Sequence, residues 1–273
     1  MFECVVNISE GRDTSLLRDL CATAGRSLRD LHHDDVHNRS VFTLVNTPEL
    51  LLTDVHSLIS ESFERLDLRT HEGIHPRFGV VDVIPFVALD SRDFSAAVAL
   101  RDATAQWIGN ELGVPVFLYG PFADGTRTLP EVRGGAFTEL WPDFGPTEPN
   151  STLGACAVGA RPILVAWNLW LGGVTLDEAR TIARALRSRA VRALAFNLGE
   201  YVQVSCNLIS PGDVGPQKIY DQVSARLGGG AIVRAELVGL LPRAVLDRQD
   251  QSRWTQLGLS LSQTIESRLT EMR

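Results

Sequence analysis

PILVAWNLWL (162–171), TLDEARTIARALRS (175–188), VRALAFN (191–197), YVQVSCNLI (201–209), VGPQKIYDQVSARL (214–227) and AIVRAELVGL (231–240) are the stretches on which the fold turns. Their hydrophobic patterning reads in order as strand, helix, strand, strand, helix, strand. That order is a split βαβ, or ferredoxin-like, unit: an antiparallel-rich sheet with helices on one face. Downstream, an amphipathic helix is expected over 251–272.

Upstream, the first half spells the same order. Residues 2–8 read as a strand, Asp13 caps a helix running to about 28, and the short segment 28–32 supplies a second strand. RSVFTLV (39–45) is rich in β-branched and aromatic residues and reads as a third. Thr47-Pro48 opens a helix to about 66, with Pro at N1 and Leu51, Val55, Leu58, Ile59 and Phe63 on one face. FGVVDVIPFVAL (78–89) is almost wholly apolar, the mark of a strand covered on both faces. A helix over 91–112 and a strand over 114–119 follow. Residues 120–159, with GPFADGTRTLP and WPDFGPTEPNSTLG inside, read as a long irregular connection, either functional or joining domains. The expectation is an α+β chain of two ferredoxin-like subdomains, 1–145 and 146–273. Facing sheets would bury both open faces and leave a cleft or tunnel between them as the ligand site.

The 273 residues are 44% hydrophobic, 22% charged and 7% aromatic, which excludes a disordered or fibrous chain. A net charge of -7 argues against a nucleic-acid partner. Cys4, Cys21, Cys156 and Cys206 are widely separated, so reduced thiols are expected rather than a disulfide framework or zinc site. MFECVVNISEGRD lacks a basic leader, and no run of about 20 apolar residues occurs. A cytoplasmic protein without a membrane partner is expected.

All six histidines fall in the first half: His32, His33, His37, His56, His71 and His75. His56 sits within a helical pattern beside its apolar face and reads as structural. LHHDDVHNR (31–39) packs imidazoles and carboxylates closely enough to ligate a divalent ion, or forms a solvated turn closed by Asp and Asn; no metal is assigned. THEGIHPRFGVVDV (70–83) carries two histidines, two glycines and an arginine just before a buried strand. Pro76 stiffens the backbone at His75, which suits a proton shuttle, and Arg77 can hold a carboxylate through paired hydrogen bonds. A capped turn with an exposed histidine is the alternative.

Those segments also resemble a known family. ECVVNISEGR (3–12), HNRSVFTLV (37–45), HEGIHPRFGVVDVIPF (71–86), VPVFLYG (114–120), WPDFGP (141–146), GACAVGARPILVAWNL (154–169), QVSCNL (203–208) and ELVGLLP (236–242) are similar, in colinear order, to the formiminotransferase family. That family includes the first domain of formiminotransferase-cyclodeaminase; nothing here resembles the cyclodeaminase domain. The resemblance implies transfer of a formimino group from N-formimino-L-glutamate to tetrahydrofolate as co-substrate. It puts the catalytic histidine of the family's HPR motif on His75. Substrate contacts are implied from Asn7, Ser9, Glu10, His32, Asn38, Arg39, His71, Arg77 and Asp82. A folate-contacting segment is implied over Gly145, Pro146, Thr147, Glu148, Pro149, Asn150, Ser151, Thr152, Leu153 and Gly154. A homodimer is also implied. Where the family carries Glu before its HPR motif this chain has Ile74, and His32 aligns near a family Asp. These departures keep open a formyl transferase with another donor or acceptor, or a catalytically silent folate-binding protein.

Overall fold

The computed structural model describes residues 1–74 and 77–270. The chain divides into two compact units, Met1–Pro162 and Ile163–Arg273.

In the first unit, strand β1 (Phe2–Ile8) turns into helix α1 (Thr14–Thr23), whose N-terminus Asp13 caps by accepting from the amides of Ser15 and Leu16. The helix stops well before 28 because Gly25–Ser27 tightens into a 3-10 turn and β2 (Leu28–Asp34) begins. Strand β3 (Arg39–Asn46) leads into α2 (Pro48–Arg65), which has Pro in its first turn and buries Leu51, Val55, Leu58 and Ile59. Strand β4 (Val81–Ala88) is buried at every position. Ile84 and Phe86 join a core cluster that also holds residues of α1, α2 and α3 (Phe94–Glu111), whereas Val83 belongs to a smaller cluster with Phe117 and Ala157.

The stretch expected to be irregular, 120–159, is irregular over 136–155 but carries regular elements at its two ends. It contains the end of β5 (Val116–Phe122), the short β6 (Gly125–Arg127), helix α4 (Leu129–Gly135) and strand β7 (Cys156–Ala160). Thr128 and Glu131 form a capping box that starts α4. The buried β7 pairs in parallel with β4 and β5, so it completes the first sheet, with order β2-β3-β1-β4-β7-β5-β6.

The second unit has β8 (Val165–Gly172), α5 (Leu176–Leu186), β9 (Val191–Asn197), β10 (Val202–Leu208), α6 (Pro216–Ser224) and β11 (Ala231–Val238) in chain order. Its sheet order is β11-β8-β10-β9, with every pairing antiparallel. Its core gathers Trp167, Leu169, Ile182, Val204, Ile219 and Leu237. The single helix expected over 251–272 is instead broken. Short turns at Gln251–Arg253 and Leu261–Gln263 and helices α7 (Arg243–Leu246) and α8 (Ile265–Thr270) occupy the C-terminal region. Gly258 explains the break: its φ is +64°, and a Cβ there would lie 2.2 Å from the Ala235 carbonyl. The indole N–H of buried Trp167 donates to the Leu257 carbonyl at 2.9 Å, which holds this turn on the sheet.

Candidate active site

The loop after β1 is locked onto the entrance to β4. Ser9 donates its hydroxyl to the Gly79 carbonyl (2.7 Å) and its amide to the Val80 carbonyl (2.8 Å). Glu10 turns inward on its own loop, where Oε1 accepts from the amides of Arg12 (2.6 Å) and Asp13 (2.9 Å). Arg12 Nε donates to the Asp35 carbonyl at 2.8 Å, joining this loop to the 34–38 turn.

That turn is closed by Asp34, whose Oδ1 accepts from the amides of Val36 (2.8 Å) and His37 (2.7 Å). No group of three His, Cys, Asp or Glu able to hold a metal ion occurs among the described residues. Asn38 follows with φ +48°, a conformation Asn tolerates better than most residues. Its buried side chain joins the neighbouring loops: Oδ1 accepts from the Gly11 amide (2.9 Å), and Nδ2 donates to the Glu72 carbonyl (2.8 Å). Its carbonyl accepts from Nε2 of His71 at 2.8 Å. Because a carbonyl can only accept, that bond puts the imidazole proton on Nε2. Nδ1 is buried without a hydrogen-bond partner among the described residues. Burial lowers the His71 pKa, the bond to Asn38 opposes this, and Arg77 adds to the lowering.

The catalytic assignment to His75 falls, with Pro76, outside the described residues. Both flanks are described. Arg77 Nη2 donates to the His71 carbonyl at 2.5 Å, and the Phe78 amide donates to Asp82 Oδ1 at 2.7 Å. Asp82 Oδ2 accepts from Arg133 Nη2 at 2.5 Å. Arg39 completes this charge cluster. Burial pushes its pKa down, Asp82 pulls it back up, and Arg133 lowers it again.

The proposed folate segment divides in two. Residues 145–149 are exposed, and Gly145 packs near the Val114 carbonyl. Residues 150–154 form a tight turn in which Asn150 Oδ1 accepts from the Thr152 amide, the Thr152 hydroxyl and the Leu153 amide, each at 3.0 Å. The Val80 amide donates to the Leu153 carbonyl (2.9 Å), and the Leu68 amide to the Thr152 carbonyl (2.7 Å). This turn therefore abuts the segment entering β4. Gly154 (φ +71°) permits the approach, since a Cβ would stand 2.5 Å from the Phe78 carbonyl.

Asn7 and His32 flank Val41 in one row of the sheet, and Asn7 Nδ2 donates to the Val5 carbonyl at 3.0 Å. His56 lies elsewhere. It stacks on Trp107 with centroids 3.8 Å apart, and burial lowers its pKa to about 4. Burial pushes the Cys4 and Cys156 thiols up, so neither is a reactive thiolate. The cluster therefore offers imidazole and guanidinium chemistry, suited to proton transfer and carboxylate binding. Arg133 is the residue that sequence reasoning missed; the Thr-x-x-Glu pattern at Thr128 and Glu131 marks its helix.

Residues 1–161 match the formiminotransferase domain, N-terminal subdomain. The chain belongs to the formiminotransferase family. It is 33% identical over 270 residues to the glutamate formimidoyltransferase of Streptococcus pyogenes serotype M1, covering 90% of each chain. It is 34% identical over 272 residues to that of Thermoplasma acidophilum, covering 90% of this chain and 89% of the relative. The formimidoyltransferase-cyclodeaminase of Gallus gallus is 34% identical over 278 residues, which span 90% of this chain but 51% of that protein. Among the described residues of this formiminotransferase family member, no helix is long and apolar enough to cross a membrane.

Proposed function

We propose that this chain is a glutamate formimidoyltransferase that moves the formimino group of N-formimino-L-glutamate to N5 of tetrahydrofolate. The observation that carries this reading is similarity to proteins of that name along nine-tenths of both chains. In the reaction, a bond forms from N5 to the amidine carbon, and the bond from that carbon to the glutamate nitrogen breaks. The proton leaving N5 passes to the departing nitrogen, and His75 carries it, one imidazole acting first as base and then as acid. Three bonds beside His75 support this role: Asn38 holds the Glu72 carbonyl, Arg77 the His71 carbonyl, and Asp82 the Phe78 amide. Arg39 and Arg77 are suited to carboxylates of the donor, and residues 145–154 to the folate.

The two halves are read as ferredoxin-like, which the matching strand orders β2-β3-β1-β4 and β9-β10-β8-β11 support. A homodimer in the cytoplasm belongs to the same reading.

The test is turnover of tetrahydrofolate with N-formimino-L-glutamate, run beside N-formyl-L-glutamate. His75→Ala should lower turnover by ~10² or more, the usual worth of acid–base catalysis, while folate affinity stays within about tenfold. Full turnover by His75→Ala would remove the shuttle, and no folate binding by the wild type would remove the substrate assignment. A second reading, in which the donor is formyl rather than formimino, rests on Ile74 standing where the family carries Glu; faster turnover of the formyl compound would select it.

A further inference from the structure

We propose that Arg133 is a positioning residue for the transfer, holding through Asp82 the Phe78 amide at which the HPR segment enters β4. The inference rests on the transferase reading above. Its starting point is the Asp82 carboxylate, whose side chain is 2% exposed. The two oxygens have different partners, with Oδ1 accepting from the Phe78 amide at 2.7 Å and Oδ2 from Arg133 Nη2 at 2.5 Å. Burying a carboxylate this deep is costly unless a cation and hydrogen bonds compensate it.

Arg133 and Arg39 both act on Asp82, but from different elements. Arg39 opens β3 and is also drawn to Asp34, whereas Arg133 projects from α4. Without Arg133, Oδ2 of Asp82 loses its ion pair, and the carboxylate is no longer fixed where Oδ1 receives the Phe78 amide. Helix α4 is a firm base for this contact. Glu131 Oε2 accepts from the Thr128 amide at 2.6 Å to cap it, and Val132 is fully buried. Val132 shares its cluster with the Phe78 ring, which meets Phe117 edge-on at 5.3 Å. The same helix thus shares a core cluster with the Phe78 ring and reaches the Phe78 amide through Arg133 and Asp82. Residues 71 and 72 are anchored separately by Asn38, so loss of Arg133 frees one flank of the HPR segment and leaves the other in place.

The experiment measures steady-state kinetics and amide hydrogen exchange on the full chain for wild type, Arg133→Met, Arg133→Lys, Asp82→Ala and the Asp82→Ala/Arg133→Met pair. Arg133→Met should lower kcat by about 10- to 100-fold, the cost of a misplaced catalytic group, and leave KM for both substrates within about threefold. The Phe78 amide should exchange at least about tenfold faster. Arg133→Lys should recover most of kcat, because it restores the cation. In the Asp82→Ala background Arg133→Met should add almost nothing, since the two residues act as one unit. Unchanged kcat and unchanged Phe78 exchange in a folded Arg133→Met overturn the proposal, as does full additivity with Asp82→Ala. A wild type that exchanges normally yet turns over no substrate overturns the transferase reading instead, and the Phe78 exchange in Arg133→Met still decides whether Arg133 holds the segment.

Discussion

Glu3→Gln should make stability climb more steeply with pH. Glu3 lies on β1 between Val45 and Val87 and is 4% exposed, and its two strand neighbours are fully buried. Burial raises its pKa from 4.5 to about 7, and Arg161 opposes only part of that rise. Between those values the folded chain keeps a proton that the unfolded chain has released, so stability falls as pH rises and is fully reduced above about 7. The shift is worth about 3 kcal/mol. His56 works in the opposite sense. Its pKa drops from 6.5 to about 4, so between those values the unfolded chain holds the extra proton and stability rises with pH. His56 is less deeply buried, which reduces its contribution to about 2 kcal/mol.

The two slopes overlap from about pH 4.5 to 6.5 and nearly cancel. Glutamine keeps the shape of Glu3 and removes its titration. The unfolding free energy of Glu3→Gln, from urea denaturation at pH values from 4.5 to 8, should therefore rise by about 2 kcal/mol up to pH 6.5. At pH 8 it should exceed wild type by up to about 3 kcal/mol, with no advantage near pH 4. The remaining carboxylates titrate alike in both proteins, so the difference curve isolates Glu3. Parallel curves, or a wild type more stable than Glu3→Gln at pH 8, would refute the reasoning: the Arg161 attraction would then outweigh burial.

Asn38→Ala should lower the unfolding free energy by about 3 kcal/mol, from two lost hydrogen bonds and a left-handed backbone that Ala resists; Asn38→Gly should cost about 1 kcal/mol less in the same urea titration. Gly154→Ala forces a Cβ against the Phe78 carbonyl, and should cost more than about 1 kcal/mol of stability while raising KM for tetrahydrofolate. Asn150→Ala dissolves the 150–154 turn, and should weaken folate binding about tenfold, by titration, while kcat of the saturated enzyme stays within about threefold.

Much of the fold was legible because its strands carry strong patterns. The all-apolar run around β4, the Pro48 helix start and the six-element order of the second half each rest on a local signal that tertiary packing reinforces. The failures share a cause. CAVGA at β7 is short, small-residued and flanked by Gly and Pro, so it becomes a strand only because β4 and β5 offer edges on both sides. The apolar residues Trp254, Leu257 and Leu259 of the stretch 251–272 do reach the second core, but from a chain that bends at Gly258. Periodicity registers which residues are apolar and not whether the backbone between them can close against a neighbouring strand.

The site shows the same limit in polar form. The described segments that converge are those the motifs marked: 9–12, 34–39, 71–74, 77–79 and 150–154. Composition could not say what their polar atoms do there. Glu10 Oε1 caps its own loop, Asn38 spends both side-chain polar atoms on backbone, and the two oxygens of Asp82 go to Phe78 and Arg133. Asn, Asp and Glu bind backbone amides and ligands with the same atoms, so a motif rich in them is equally a scaffold and a binding surface. In this chain those residues bind the loops to one another. Arg133 joins them from a helix outside every motif, supplying the cation with which the buried Asp82 carboxylate pairs.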